Sequence, residues 1–413
     1  MYESEVDDEG VAGVLRRTNG LSGKFDNVRR YWEDGGARLY IQPHLQELVD
    51  RRQEEGRGLR ILDMGCGVGD GYELLRSVKR SDARLSAHDN VVIKDGLLNS
   101  YQGIDINPRF IAEANTVYRE RPEITFVHAD FNEIDLEADE PYDIYIFAFG
   151  TLSHYSLEKS VELISRLGQH GRDGSLILAD WLGRFSCEWE TLWNNDLSRE
   201  QWLELKLTGS RSQREDGYGG SDRMKLALLS RQEVIDILSG AREKSGVNIM
   251  LRRLYDRSVL VGRELDVNGD DTCTETLRKQ VNSLFEPNIR TNLEDLIVDY
   301  RPREGFPIIN EFYTMFQRGW NDLVDYVIAN LRYYDSFGTS PRPEVGQHHS
   351  LLQRKIMTEM GRLIANIYYS EVGDVRANTI EPHFGYVLRE LEMSLQQGLG
   401  CGSGITAILE LKK

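Results

Sequence analysis

The sequence has few cysteines, no long apolar run and no excess of positive charge. Its four cysteines, Cys66, Cys187, Cys273 and Cys401, lie far apart and form no CxxC pair. This pattern is typical of reduced cytosolic thiols and not of a disulfide framework. No apolar run approaches the roughly 20 residues that span a bilayer, so no membrane partner is expected. The first residues, MYESEVDDEG, are acidic, unlike a secretory signal or a basic transit peptide, and a cytoplasmic location is the expectation.

The charge balance argues against a nucleic-acid partner. The formal net charge is −17, whereas binding a phosphate backbone normally needs a basic face. The local pairs Arg51–Arg52 and Arg252–Arg253 are flanked by acids and fit solvated faces better. The eight histidines are scattered, and the adjacent pair His348–His349 has no cysteine or acid at ligand spacing along the chain. We therefore expect no metal, and a small neutral or cationic molecule as the substrate.

The order of predicted elements indicates the fold class. A length of 413 residues favours two domains. From Leu59 onward, short apolar strands alternate with helical stretches, which is the signature of a parallel sheet with crossover helices. Two further strands, at 248–254 and 258–263, are separated only by YDR and predict an antiparallel hairpin. The expected fold is therefore α/β: a doubly wound, mostly parallel seven-stranded sheet that ends in an antiparallel hairpin, followed by a mainly helical C-terminal domain.

Composition suggests where the domains begin and end. Residues 1–24 are polar and predict a flexible arm, residues 25–265 hold the sheet, and residues 275–413 follow a linker-like VNGDDT as the helical domain. The helical domain resembles no family that we recognise, and its role is left open between a substrate cover, a homo-oligomer contact, or both. The glycine-rich Gly398–Gly404 lacks the GK[ST] of a phosphate loop and precedes a strand, so it predicts a turn.

The glycine-rich segment LRILDMGCGVGDG, Leu59–Gly71, carries the strongest signal. Glycines let a backbone turn sharply and approach a ligand where a Cβ would collide. A dinucleotide fingerprint would read G-x-G-x-x-G after the strand, but Asp70 stands three residues after Gly67, which disfavours an NAD-dependent oxidoreductase. The pattern D-x-G-x-G-x-G resembles motif I of the class I S-adenosylmethionine (SAM)-dependent methyltransferases. The resemblance implies that SAM is the cofactor, S-adenosylhomocysteine (SAH) the product, and that the loop contacts SAM through the residues Asp63, Gly65, Cys66, Gly67 and Gly69.

Three later segments extend this resemblance over roughly residues 25–265. Asp105, followed by Ile106, ends the second strand, where a carboxylate can accept both ribose hydroxyls; a helix N-cap is the alternative. Asp130 and Phe131 resemble the family's adenine-contacting step. FAFGTLSHY, from Phe147 to Tyr155, occupies the place of the residues that face the methyl group and the acceptor, including Phe149 and Gly150.

One interval departs from the usual pattern. Gly65 and Asp105 are 40 residues apart, against about 20 for the usual glycine-to-acid interval. The polar segment 77–100 is therefore predicted to be an insertion, either a flap near the adenosine or a surface loop.

The segment FGTLSHY also limits the chemistry. It contains no NPPY- or DPPY-type sequence and no Pro-Cys, and it resembles methyltransferases that act on small metabolites. SAM carries its own leaving group, so the protein mainly has to hold acceptor, methyl and sulfur in line. His154, with Tyr155 beside it, is the candidate base if the acceptor must lose a proton, although a lone histidine is more often structural. Arg38 could pair with the SAM carboxylate or belong to an amphipathic surface helix.

Several alternatives stay open. The tryptophan-rich segment 183–230 predicts either a lid over the acceptor or a core patch against the C-terminal helices. A catalytically silent SAM-binding protein, whose C-terminal domain recruits a partner, would show the same loop. A protein or RNA methyltransferase is opposed by the acidic charge and by FGTLSHY.

Overall fold

The computed structural model describes residues 27–206, 223–262, 273–366 and 373–413. The predicted arm 1–24, the VNGDDT linker and the part of the tryptophan-rich segment that contains Tyr218 lie outside these ranges. Among the residues that the structure describes, no helix has the length and apolar character needed to cross a membrane.

The strands and helices follow the predicted alternation. The strands are β1 Leu59–Met64, β2 Leu98–Asp105, β3 Ile124–His128, β4 Ile144–Phe147, β5 Leu176–Gly183, β6 Gln201–Lys206, β7 Arg223–Leu229, β8 Asn248–Arg257 and β9 Gly404–Lys412. The helices are α1 Asp34–Glu54, α2 Asp70–Arg76, α3 Pro108–Val117, α4 Leu157–His170, α5 Arg231–Ser245, α6 Cys273–Ser283, α7 Pro307–Asp335, α8 Leu351–Ala365 and α9 Glu381–Leu395. A short π-helical stretch, Val28–Glu33, leads into α1.

One sheet forms the centre of the molecule. Strands β3, β2, β1, β4 and β5 lie side by side in that order and are parallel. Strand β9 runs antiparallel beside β5, and β8 runs antiparallel beside β9. The C-terminal end of β5 also pairs with β7, which forms an antiparallel pair with β6. The predicted α/β class, a mostly parallel sheet with antiparallel strands at one edge and a helical C-terminal region, is confirmed.

Strand β8 has a different antiparallel partner from the one predicted. Residues 258–262 form no strand, because Ser258 adopts a left-handed conformation (φ 55°) that turns the chain out of β8. The apolar Val259, Leu260 and Val261 are buried in the helical core instead. Strand β9, from the C-terminal region, takes the place of the expected hairpin strand, and the described residues form nine strands where seven were predicted.

The C-terminal helices share their core with the N-terminal stretch and the tryptophan-rich segment. Aromatic side chains of α7 and α9 pack with Trp32 and with Trp193 in one apolar cluster. The Trp193 ring stacks on Tyr313 of α7 at a centroid distance of 5.8 Å. Trp189 is buried beside leucines of β6 and β7. Trp193 thus fits the alternative of a core patch against the C-terminal helices, whereas Trp189 packs against strands.

The insertion after α2 leads into the first residue of β2, whereas the glycine loop lies at the opposite end of the parallel strands, after β1. It is tied down by a bridge between Lys79 and Val91, and β2 begins at Leu98, three residues earlier than predicted. Strand β2 then runs about 20 Å before it reaches Asp105. This placement fits the surface-loop alternative for the insertion and not an adenosine flap.

Candidate functional site

The loop between β1 and α2 is fixed to the neighbouring strand by its backbone. The N–H groups of Gly65 and Cys66 both donate to the carbonyl of Ile104, at 2.8 and 3.0 Å. Gly65, Gly67 and Gly69 all have positive φ, at 79°, 54° and 100°. That conformation favours glycine over any other residue. Three alternate glycines are therefore a backbone requirement of this loop.

The surroundings of the three glycines differ. A Cβ at Gly65 would lie 2.6 Å from Thr151, and one at Gly69 would lie 2.9 Å from Tyr118. A Cβ at Gly67 would meet no protein atom within 4 Å. The backbone at Gly67 therefore borders open space, where a ligand can approach it closely.

Asp105 links this loop to the end of β2. Its Oδ2 accepts the N–H of Gly67 at 2.9 Å, and its Oδ1 accepts the N–H of Asn107 at 2.8 Å. Each carboxylate oxygen has a further lone pair, so the group can still accept hydroxyl protons. The N-cap of α3 is Asn107 and not Asp105, so the capping alternative does not describe Asp105. The adjacent Ile106 exposes 65% of its surface, an apolar face beside the carboxylate.

Asp63 and Cys66 lie beneath the loop. The Asp63 side chain is fully buried, accepts the Tyr101 hydroxyl at 2.5 Å and packs against Gly71. Desolvation raises the pKa of Asp63 to about 7. The Cys66 sulfur is packed against Gly103, and burial raises the pKa of its thiol. Contact of either side chain with a ligand is not supported by this placement; both support the loop from inside.

Asp130, Phe131 and Tyr155 are brought together after β3 and β4. Asp130 Oδ1 accepts both the backbone N–H and the side-chain amide of Asn132, at 2.9 and 2.7 Å. The same amide donates to the Tyr155 hydroxyl at 2.8 Å. The Phe131 ring lies 5.4 Å from Tyr155 and 5.8 Å from Phe147, centroid to centroid. A carboxylate and an aromatic surface thus lie next to each other after β3.

The turn after β4 is the most strained part of the site. Phe149 and Gly150 both have left-handed backbones, with φ of 57° and 84°. Such a conformation costs of order 1–3 kcal/mol for a residue other than glycine and persists only where the surroundings enforce it. Two contacts hold this turn in its conformation. The Gly150 N–H donates to Asp180 Oδ2 at 3.2 Å, and the Arg29 guanidinium lies 3.3 Å from the centroid of the Phe149 ring.

A network of buried charges surrounds this turn. Asp180 pairs with Arg257 at 3.0 Å, Arg257 with Glu33 at 3.7 Å, and Glu33 with Arg278 of α6 at 3.2 Å. Buried charges are tolerated only when they are paired. The network therefore joins the Gly150 turn to the helical C-terminal region.

A second buried pair connects the N-terminal stretch to the same turn. Arg29 contacts Asp34 at 2.9 Å, and Asp34 is fully buried. Desolvation raises the pKa of Asp34 to about 7, although the Arg29 charge opposes this shift. Sequence reasoning missed both sets of pairs: Asp180, Arg257 and Arg278 lie far along the chain from Glu33, and nothing in the sequence shows that Arg29 and Asp34 are buried together. The only local signal was RRYWED, where arginine and acid stand four and five residues apart.

His154 lies on the rim of the site, at the end of a short 3₁₀ helix, Thr151–His154. Its side chain keeps contact with solvent, but neighbouring protein atoms desolvate the imidazole and lower its pKa, against a smaller opposing effect of the Asp105 charge. The imidazole is therefore neutral at pH 7 and able to accept a proton.

Arg38 lies elsewhere. Its guanidinium donates to the Ser77 hydroxyl at 3.2 Å, just after α2, and to the carbonyl of Arg30 at 3.1 Å. Arg29, and not Arg38, is the N-terminal arginine that reaches the Phe149 turn. The expected pairing of Arg38 with a cofactor carboxylate gains no support from these contacts.

Known proteins were compared with this chain by sequence and by structure. No family model and no curated protein matches the sequence. Among solved structures, the chain is similar to a SAM-dependent methyltransferase from Clostridium acetobutylicum (11% identity, 52% of this chain and 83% of that chain, TM-score 0.33). It is also similar to magnesium protoporphyrin IX methyltransferase from Synechocystis with bound SAH (17%, 60% and 87%, 0.32).

A third structure is 1,6-didemethyltoxoflavin-N1-methyltransferase from Burkholderia thailandensis with its substrate and SAH bound (14% identity, 58% of this chain and 79% of that chain, TM-score 0.29). All three are named as methyltransferases. At these identities and TM-scores, the similarity assigns neither a substrate nor the role of any residue.

Proposed function

We propose that this chain is a SAM-dependent methyltransferase that transfers a methyl group to a small-molecule acceptor. The observation that carries the proposal is the contact between Gly67 and Asp105. It joins a loop of three left-handed glycines to a carboxylate at the end of the adjacent parallel strand. Ligands of open α/β sheets bind at this edge, outside the carboxyl ends of the strands.

The residues present fit the parts of SAM. The open backbone at Gly67 suits the amino-acid part, and the Asp105 carboxylate suits the ribose hydroxyls. Ile106 and Phe131 offer apolar surface for the adenine, with Asp130 near enough to meet its exocyclic amine. These assignments follow the resemblance residue by residue and are supported by the side chains converging on one edge of the sheet.

SAM supplies an electrophilic methyl group on a sulfonium, which is a good leaving group. The protein's contribution is to orient the acceptor and to exclude water. Asp180 and Arg29 hold the turn at Phe149 and Gly150, which suits the first task, and the buried Arg29 lies against the Phe149 ring, which suits the second. His154, neutral at pH 7, is positioned on the rim to accept a proton from an acceptor that must lose one.

A small acceptor is favoured over a macromolecular one by charge. A net charge of −17 repels nucleic acid and acidic polymers at long range. Arg29 of the N-terminal stretch, itself buried, lies against the Phe149 turn where the acceptor is proposed to bind. This contact suits a small acceptor better than a macromolecule.

Calorimetric titration with SAM, SAH and NAD tests the cofactor. We expect SAM and SAH to bind with one site per chain and NAD not to bind. Gly67→Ala should abolish or strongly weaken SAM binding, since the added Cβ would project into the ligand space. Gly246→Ala is a matched control: Gly246 has a similar φ of 70°, no protein atom near its would-be Cβ, and lies at the end of α5. Binding of NAD alone, or equal SAM affinity in both variants, would contradict the cofactor assignment.

Transfer of labelled methyl from SAM to a panel of small metabolites, proteins and RNA then tests the acceptor class. Labelling of small molecules alone would support the proposal. Labelling of protein or RNA would replace it by a macromolecular methyltransferase. SAM binding without any transfer would favour the catalytically silent alternative.

A further inference from the structure

Two adjacent histidines lie beside an aspartate far from the methyl-transfer site. His348 and His349 are the last residues before Ser350, the N-cap of α8, and Asp322 belongs to α7. One ligand atom from each of the three side chains lies within 4.8 Å of the other two. The acidic partner that the histidine pair lacks along the sequence is supplied by the packing of α8 against α7.

The spacing of these groups matches metal coordination. His349 Nδ1 lies 3.4 Å from Asp322 Oδ2. Two ligands at about 2.0–2.1 Å from a zinc ion, at tetrahedral angles, are about 3.3–3.4 Å apart. The two imidazole rings lie side by side, with centroids 3.9 Å apart. One ligand atom of His348 lies within 4.8 Å of those of the other two side chains, so the three residues offer two nitrogens and one oxygen to one ion.

The backbone holds these ligands in place before any ion arrives. A Cβ at Gly346 would collide with the imidazole of His348, so glycine leaves the room that this ring occupies. Ser350 forms a reciprocal capping box with Gln353, with bonds of 2.9 and 3.2 Å, which fixes the entry to α8. Asp322 lies near the middle of the long α7 helix. Asp322 therefore lies on a helix, and the two histidines immediately precede one.

The three ligand side chains differ in their access to solvent. His349 is nearly buried, with 7% of its side chain exposed, while His348 faces solvent. Water can therefore occupy the remaining coordination positions.

We propose that Asp322, His348 and His349 bind one divalent transition-metal ion of the zinc type. Two imidazole nitrogens select zinc, cobalt, nickel or copper over magnesium and calcium, which prefer oxygen ligands. The ion fastens the connection between α7 and α8, residues 336–350, onto α7. This site stands apart from the proposed methyl transfer, and neither depends on the other.

The test uses the full chain with any affinity tag removed and metal stripped by EDTA dialysis. Titration with zinc chloride should show one bound equivalent and raise the Tm, since the ion binds the folded state. Magnesium chloride should give neither effect. SAM affinity, measured in parallel, should be the same with and without zinc.

Matched variants locate the ion. His349→Ala and Asp322→Asn should each lower zinc affinity by an order of magnitude or more, and the double variant His348→Ala/His349→Ala should lose the zinc-dependent rise in Tm. His383→Ala, which removes an exposed histidine of α9, should behave as the parent. Circular dichroism of the metal-free variants checks that they fold. Unchanged zinc binding in the double variant, no zinc binding by the parent, or equal binding of magnesium would overturn the proposal.

Discussion

The guanidinium of Arg29 lies 3.3 Å from the centroid of the Phe149 ring, so the N-terminal stretch and the turn after β4 are in direct contact. A cation over an aromatic face is attractive, and the attraction grows when both groups are removed from water. Phe149 cannot leave its left-handed conformation without losing this contact. The N-terminal stretch thereby restrains the residue that follows β4, where the acceptor is proposed to bind.

Phe149→Leu should therefore destabilise the protein and slow methyl transfer. The variant keeps an apolar side chain but loses the ring, which we expect to cost about 1–2 kcal/mol in the free energy of unfolding. Urea denaturation measures the loss, and single-turnover kinetics measures the rate. Phe337→Leu is the control, because Phe337 is also left-handed (φ 54°) but is 91% exposed. Equal effects of the two substitutions would show that the contact with Arg29 is unimportant.

Asp105→Ala should weaken SAM binding and leave the fold intact. One charged, hydrogen-bonded contact is worth about 1.5–3 kcal/mol, or roughly 10- to 150-fold in affinity. Calorimetry checks the affinity, and circular dichroism checks the fold. Asp135→Ala removes an exposed acid that likewise accepts a backbone N–H two residues on, at 3.1 Å, and should not change the affinity. An unchanged SAM affinity in Asp105→Ala would remove this carboxylate from the site.

His154→Ala should slow turnover without weakening SAM binding. A base must be deprotonated, and the pKa of His154 is held below its ordinary 6.5. The rate of the parent should therefore be constant through neutral pH and fall only as the pH drops below 6.5. That acidic limb should disappear in the variant, while His383→Ala should retain it. Full activity in His154→Ala would return this residue to a structural role.

Asp63→Asn should make stability less dependent on pH. Because the folded-state pKa of Asp63 is raised to about 7 from 3.8, the folded state favours the protonated form. Asp63 therefore contributes its full stabilisation of the folded state below pH 3.8, and this stabilisation is lost as the pH rises through 7.

For the parent, this group should lower the free energy of unfolding by roughly 2 kcal/mol between pH 5 and pH 8. Asparagine can still accept the Tyr101 hydroxyl and does not ionise. The free energy of unfolding should therefore fall less between pH 5 and pH 8 in the variant than in the parent. Urea denaturation at pH 5 and at pH 8 measures this change in the free energy of unfolding. Asp135→Asn, which alters an exposed acid, is the control. Asp34 and Glu392 have pKa values raised to about 7 for the same reason, so some decline should persist. An identical decline in parent and Asp63→Asn would mean that Asp63 is ionised in the fold at pH 5.

Local sequence patterns were sufficient to predict those elements that are determined by residues close together in the sequence. Strand β1 begins at Leu59 and ends at Met64, as predicted from LRILDM. The glycine spacing correctly indicated a sharp loop there, because positive φ at alternate positions is a local requirement. Asp105 was predicted from its position at the end of the second strand, and its carboxylate lies against the glycine loop.

Features that depend on distant segments were missed. The short apolar run at 259–261 looks the same whether it pairs in a sheet or fills a helical core, and only the position of β9 decides between the two. The placement of Asp63 under the loop depends on Tyr101 in another strand. The pairing of Glu33 with Arg257 and Arg278 joins three parts of the chain whose separation in sequence carries no signal.

The position of β9 between β5 and β8 sets the order in which a growing chain can complete its sheet. Residues 258–403 must leave the ribosome after β8 before β9 can pair with either neighbour. At about 5–20 residues per second, synthesis of this stretch takes on the order of ten to thirty seconds. During that interval the backbones of β5 and β8 each present a strand edge that has no native partner, and such edges recruit foreign strands. The two edges that flank β9 therefore stay without it while all of the C-terminal helices are being translated.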